Sequence, residues 1–181
     1  MNGNESGICA RRVILLGPPG AGKGTQAKLL ARQLGMCHVA SGDLFRHHQG
    51  NGTRLGVKAV EYMDQGLLVP DEITIAMVLE KIMSLGGLTG ALLDGFPRNL
   101  AQAKALDQAL LNEGQGIEKV LQIKVPTEET LRRLEGRLVC KQCQAPYQRD
   151  TVAAGGSDMC DICGGELYQR QDDAPRAVDT R

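Results

Sequence analysis

Apolar positions along the chain fall into two kinds of pattern that take turns: short unbroken runs, and longer stretches with apolar residues three and four apart. Residues 13–16, all aliphatic, are short enough for a buried strand, and a glycine-rich stretch over residues 17–24 follows directly. Ala27, Leu30, Ala31 and Leu34 then repeat at helical spacing, with Gly35 suited to a C-terminal stop. Residues 37–40 predict a second strand, with Ser41 as N-cap of a short helix through Phe45. Thr53 predicts the cap of another helix ending near Gly66. Pro70 and Asp71 open a longer one closed by Gly86 and Gly87. Residues 91–94 predict a strand, 99–113 a helix, 120–125 a strand, and Thr127 the cap of a helix reaching about Arg137.

Strands alternating with helices predict right-handed βαβ units, and so an α/β fold with a parallel sheet covered by helices on both faces. From residue 138 to 170 the helical periodicity disappears and cysteines, glycines and scattered polar residues take over. This stretch predicts an inserted module stapled by a metal. The chain shows no internal repeat and no low-complexity tract.

Charge and composition narrow the function classes. The 21 basic and 21 acidic residues cancel, which argues against a nucleic-acid protein with its usual basic excess. No apolar run approaches a membrane span, and residues 1–10 lack the features of a signal peptide, so a cytoplasmic location is expected. Aromatic residues make up only 3% of the chain and Trp is absent, so aliphatic side chains must fill the core.

The sharpest local signal is Gly17-Pro-Pro-Gly20-Ala21-Gly22-Lys23-Gly24-Thr25, set between a predicted strand and a predicted helix. Small residues let backbone N–H groups curl around phosphate oxygens, the helix N-terminus favours an anion, and Lys23 adds a mobile positive charge. The general phosphate-loop pattern has Ser or Thr directly after the lysine; here Gly24 intervenes before Thr25.

Cys140-x₂-Cys143 and Cys160-x₂-Cys163, separated by 16 residues, carry a zinc-ribbon spacing. Four thiolates saturate tetrahedral Zn²⁺, which makes the metal structural. Two disulfides, four free thiols and a nucleic-acid zinc ribbon are the alternatives. Cys9 and Cys37 are expected to be unliganded thiols.

Four blocks in order resemble the nucleoside monophosphate kinases, and among them the adenylate kinases with a long zinc-containing lid. They are the GPPGAGKGT loop, Ser41-Gly-Asp-Leu-Phe-Arg46, Asp94-Gly95-Phe-Pro-Arg98 with Gln102, and Arg170-Gln-Asp-Asp173 with Arg181 beyond. The resemblance implies a P-loop kinase core over residues 11–181 after a tail at 1–10, with an AMP-binding segment at 41–70 and a zinc lid at 138–173. It implies ATP on Gly20, Ala21, Gly22, Lys23, Gly24, Thr25, Arg133, Arg137 and Tyr147. It implies AMP on Ser41, Arg46, Met63, Leu67, Leu68, Val69, Gly95, Arg98, Gln102, Arg170 and Arg181. Lys23, Arg98, Arg133, Arg170 and Arg181 would then act on the transferred phosphoryl group. Asp94 would hold water on Mg²⁺, unless it merely caps the next turn.

The expected ligands are therefore ATP, AMP, Mg²⁺ and structural Zn²⁺, with the protein acting as a monomer away from membranes and nucleic acid. His38, His47 and His48 are expected to be structural or surface residues, because an ionised phosphate acceptor needs no base. Arg132 and Arg149 read as solvated surface charges. The family's closing helix and final strand are expected to be missing after Arg181, Leu67 stands where relatives are often polar, and Ser41 stands where threonine is frequent. The competing readings are a kinase using another donor or acceptor nucleotide, or a non-catalytic nucleotide-binding or zinc-ribbon interaction protein.

Overall fold

The structure is a computed structural model that describes residues 11–64, 69–86, 89–155 and 158–169. The side chains of residues 63, 64 and 153–155 are not among those described. The chain divides into two compact units, one within Met1–Leu16 and Gln26–Gln122, the other within Gly17–Thr25 and Ile123–Arg181.

In the first unit, strands β1 (Arg12–Leu16), β2 (Cys37–Ala40), β3 (Ala91–Asp94) and β4 (Lys119–Gln122) form a parallel sheet in the order β2-β3-β1-β4. The two inner strands are aliphatic on both faces, and Leu92 and Leu93 are fully buried, as a sheet covered on both sides requires. Helices α2 (Ser41–Gly50), α3 (Arg54–Asp64), α4 (Asp71–Ser84) and α5 (Leu100–Asn112) flank the sheet, as does most of α1 (Lys23–Leu34). Ile14, Val39, Val78, Ile82, Leu93, Phe96, Leu106 and Leu110 share one core drawn from strands and helices alike.

Arg12 opens β1 almost fully buried. It is tolerated there because its guanidinium donates to Thr89 O at 2.9 Å and to Gln115 Oε1 at 2.8 Å.

The second unit carries α6 (Thr127–Glu135), β5 (Arg137–Cys140), β6 (Pro146–Gln148), α7 (Arg149–Gly155) and β7 (Leu167–Tyr168). Its strands form an antiparallel sheet in the order β6-β5-β7. Among the described residues no helix is long and apolar enough to cross a membrane.

Several local expectations are corrected. Ser41 is no cap: it is the first residue of α2, its hydroxyl donates instead to Gly95 O at 2.9 Å, and the helix runs on to Gly50. The strand expected over residues 120–125 is Lys119–Gln122, because β1, its ladder partner, ends at Leu16 opposite Gln122. Thr127 likewise begins α6 with no side-chain cap. That helix stops at Glu135, and Arg137 belongs to β5. Thr53 does cap α3, accepting from Gly56 N at 3.1 Å, and Asn99 caps α5 by accepting from Gln102 N at 2.9 Å.

Candidate active site

In the first unit the C-terminal ends of β2 and β3 lie side by side, with Ala40 level with Asp94. This is the end of a parallel sheet where ligands collect. Gly95 leaves β3 at φ 73°, and a Cβ there would sit 3.0 Å from Ser41 Oγ, so only glycine admits this close approach. The space is used by Arg98, whose Nε donates to Gly95 O at 2.8 Å and whose Nη2 donates to Ser41 Oγ at 3.3 Å. Ser41, Gly95 and Arg98 therefore form one polar cluster.

Gln102, 4% exposed, stands in the first turn of α5 and accepts from Arg98 N at 2.7 Å. Arg46, on α2, pairs with Asp43 one turn before it. Val69 is half-buried. The side chain of Met63, together with Leu67, Leu68, Arg170 and Arg181, lies outside the described residues. Asp94, at the tip of β3, lies 3.3 Å through Oδ2 from His38 Nε2, and both side chains are largely buried. His48 is buried, with Nδ1 2.7 Å from Thr53 Oγ1.

The second unit holds the glycine loop. At Gly20, φ is 79° and a Cβ would lie 2.7 Å from Thr130 O and 3.1 Å from Leu134 Cγ, so any larger residue would push the loop off α6. Ala21 is buried against this turn, Gly22 and Gly24 are partly covered, and Thr25 is exposed. Lys23 folds back over the loop and donates to Gly17 O at 2.7 Å and Pro18 O at 2.9 Å. The ammonium thus lies over the turn whose backbone it would share with an anion.

On α6, Arg133 Nε donates to Glu129 Oε1 at 2.7 Å, and Arg132 forks onto the same carboxylate. The hydrogen bonds from Arg132 and then Arg133 hold the Glu129 carboxyl down at about 2. Arg137 starts β5 opposite Gln148. Arg132 is an exposed surface charge, and Arg149, also exposed, donates to Gln169 Oε1.

The thiols of Cys140, Cys143, Cys160 and Cys163 all lie within 4.8 Å of one another. Cys140 and Cys163 approach to 3.4 Å and Cys143 and Cys160 to 3.5 Å, far beyond a disulfide of about 2.05 Å. Four Zn–S bonds of about 2.3 Å in a tetrahedron put the sulfurs roughly 3.8 Å apart, so this donor set fits zinc with little adjustment.

Two similar knuckles build the centre. In one, Gln142 N and Cys143 N donate to Cys140 Sγ at 3.4 and 3.5 Å, and Gln144 N returns to Cys140 O. In the other, Gly164 N returns to Cys160 O at 2.8 Å. Burial pushes the Cys160 thiol up, but donors from Tyr147 and from the Cys163 and Ile162 backbone outweigh it and bring it to about 6. Cys143 is pushed up to about 12 by burial and the adjoining thiols, against a donor from the Ala145 backbone. Tyr147 OH contacts Cys160 Sγ at 3.1 Å and donates to Asp161. The Asp161 carboxylate and then the neighbouring Cys160 sulfur, with burial behind them, raise the phenol's pKa.

A glycine loop with an in-register lysine, an arginine beside a Gly-Phe-Pro turn, and a four-thiol module occur together in this chain. The sequence profile of the adenylate kinase family matches residues 15–181. The chain belongs to the adenylate kinase family. It is similar to an adenylate kinase of Dehalococcoides mccartyi, at 52% identity over 169 residues that make up 93% of this chain and 78% of the relative. An adenylate kinase of Caldicellulosiruptor saccharolyticus is 51% identical over 94% of this chain and 79% of its own length. One of Streptomyces avermitilis is 47% identical over 94% and 78%. As a member of this family the chain is a nucleotide-binding enzyme of the phosphotransferase class, and its thiol cluster fits the form with a zinc-binding lid.

Sequence reasoning did not anticipate the partners of the site. His38 beside Asp94, and Asp71 beside Gln102, come from elements far apart in the chain. The only local signal for Asp71 was its place behind Pro70 at a helix start.

Proposed function

We propose that this enzyme moves the terminal phosphoryl group of ATP reversibly onto AMP, giving two ADP. The observation that carries this reading is the presence of two cationic clusters of different chemistry, each suited to a phosphate group. One is a backbone loop capped by Lys23, the other a guanidinium supported on Ser41 and Gly95 beside a buried amide. A protein that bound a single nucleotide would need only one of them.

On this reading Gly20, Ala21, Gly22, Lys23, Gly24 and Thr25 cradle the ATP phosphates, and Arg133, Arg137 and Tyr147 close on the same nucleotide. Ser41, Arg46, Val69, Gly95, Arg98 and Gln102 receive AMP, together with Met63, Leu67 and Leu68. Arg170 and Arg181 serve the transferred group. The zinc module, residues 138–173, is the lid, and residues 41–70 are the AMP-binding segment.

The acceptor is an AMP phosphate oxygen. The second pKa of a phosphate monoester is about 6, so this oxygen is already ionised at neutral pH and no side chain has to take a proton. Catalysis is then alignment of two anions and neutralisation of their repulsion. Guanidinium groups suit the task because a planar fork matches two phosphate oxygens at once. Exclusion of water by the lid keeps the phosphoryl group from hydrolysis.

Asp94 fits a hydrated divalent cation: His38 engages Oδ2, which leaves Oδ1 to accept from a water, and a lone carboxylate with several waters is the preferred magnesium environment. When bound with ATP, Mg²⁺ would add charge neutralisation at the β- and γ-phosphates.

The test is steady-state kinetics of Lys23→Ala and Arg98→Ala against a panel of monophosphate acceptors. Each variant is expected to lose at least about 10²-fold in kcat/KM, the usual cost of a group that stabilises transition-state charge. Arg98→Ala is expected to raise the KM for AMP. Wild-type preference for a pyrimidine monophosphate, or unchanged rates in both variants, would overturn the assignment.

A further inference from the structure

The Gln102 amide is tied at both ends. Its Oε1 accepts from the backbone N–H of Arg98 at 2.7 Å, and its Nε2 donates to Asp71 Oδ1 at 2.5 Å. Asp71 is itself held, because its Oδ2 accepts from Asn99 Nδ2 at 2.8 Å while Asn99 Oδ1 caps the Gln102 N–H. A carboxylate only accepts and a backbone N–H only donates, so these two partners admit one orientation of the amide. Reversing it would set oxygen against carboxylate and N–H against N–H at a residue that is 4% exposed. Each such unmatched buried contact is costly. One N–H of Nε2 and one lone pair of Oε1 remain for a ligand, in fixed positions.

We propose that Asp71 is a specificity-determining residue that acts through Gln102. By locking the amide it selects a 6-aminopurine over a 6-oxopurine monophosphate. This rests on the reading above in which Gln102 meets the acceptor base. Adenine offers a donor at N6 beside a ring-nitrogen acceptor, and an amide in one orientation matches that pair. Hypoxanthine carries an acceptor at O6 beside a donor at N1, the reverse order, and needs the reversed amide. Asp71 opposes the reversal at one end of the amide, as the Arg98 N–H does at the other; an asparagine at this position could donate to a reversed Gln102 oxygen, which removes the Asp71 half of the lock.

Initial rates with AMP and with IMP at saturating ATP test this in wild type, Asp71→Asn, Asn99→Ser and Gln102→Leu, with the melting temperature of each recorded. Wild type is expected to favour AMP. Asp71→Asn is expected to lower the AMP-to-IMP ratio of kcat/KM about tenfold. Asn99→Ser keeps a capping oxygen but cannot reach Asp71, and should lower the ratio about threefold, which keeps the test decisive if Asp71→Asn folds poorly. A purely structural role would slow both acceptors equally. An unchanged ratio in the Asp71 and Asn99 variants, with the ratio lost in Gln102→Leu, overturns this inference alone. An unchanged ratio in Gln102→Leu as well removes the base-reading role of Gln102. Failure of wild type to form ADP from AMP removes the proposed reaction and the inference with it.

Discussion

The parallel-sheet unit and the cysteine module solve the same problem, holding a polar site still, by opposite means. Among the described residues, the sheet has ten buried residues in a common core, nine from three strands and three helices and Phe96 from the turn after β3. The module's cluster has four among its described residues, and two of them are Cys140 and Cys160. Short antiparallel strands of two to four residues cannot bury enough apolar surface to offset the entropy of ordering them. In the first unit, then, the Arg98 cluster is positioned by packing. In the second, the strand that carries Tyr147 is positioned by four thiols and whatever they bind. Burial is distributed and loses a fraction of its strength with each deletion. Coordination is concentrated and is lost all at once.

Removing one ligand is the largest way to break that contrast. Cys143→Ser is expected to drop bound zinc from about one per chain to none. With it should go protection of the Cys160 and Leu167 amides, which donate to Gly165 O and Asp158 O, against hydrogen exchange, because structural zinc is worth on the order of 10 kcal/mol to small modules. Exchange at the β3 amides should not change. Leu93→Ala tests the other side. A fully buried leucine between two neighbouring strands should cost about 3 kcal/mol of stability in denaturant melts, with zinc content unaltered.

Gly95→Ala sharpens the comparison inside the packed unit. A Cβ 3.0 Å from Ser41 Oγ at φ 73° should cost roughly 1–2 kcal/mol and raise the KM for AMP while the ATP KM holds.

The smallest effect is expected at Glu129. Its carboxyl is held at about 2, below the ordinary 4.5, so its contribution is complete above pH 4.5 and is lost as pH falls toward 2. Glu129→Gln should therefore flatten the acid limb of a stability profile by lowering stability slightly above pH 4.5 and leaving it unchanged near pH 2; the drop is small, since the paired arginines are 68% and 39% exposed.

Legibility in the sequence followed the same division. The inner strands were readable because a strand buried on both faces is an unbroken aliphatic run, and residues 13–16 and 91–94 are such runs. The edge strand departs from its apolar pattern. Val120, Leu121, Ile123 and Val125 look like one apolar element, but the ladder ends where β1 gives way to the glycine loop. Helix α2 runs past its predicted end at Phe45; its second half, Arg46-His-His-Gln-Gly50, is polar and carries no apolar signal. Its support is tertiary, with His48 buried against Thr53. Ser41 offered a capping signal, and its hydroxyl went instead to Gly95, 54 positions away. Helix α7 carried no apolar periodicity to find.

Around the candidate site, the motif residues themselves stand out in the sequence, whereas the partners that hold them do not. Nothing in the run Pro70-Asp71-Glu72 indicates that the aspartate will hold the amide of Gln102. The thiols were the exception, because metal geometry writes its requirement directly into residue spacing.

The central claim is that the Lys23 loop and the Arg98 cluster serve a single transfer between two nucleotides. Its most direct measurement is to mix ATP, AMP and Mg²⁺ with the enzyme and follow all three adenine nucleotides and free phosphate over time. The account predicts two ADP formed for each AMP consumed, no free phosphate, and the same final ratio when the reaction is started from ADP. Release of phosphate from ATP with AMP untouched would contradict it.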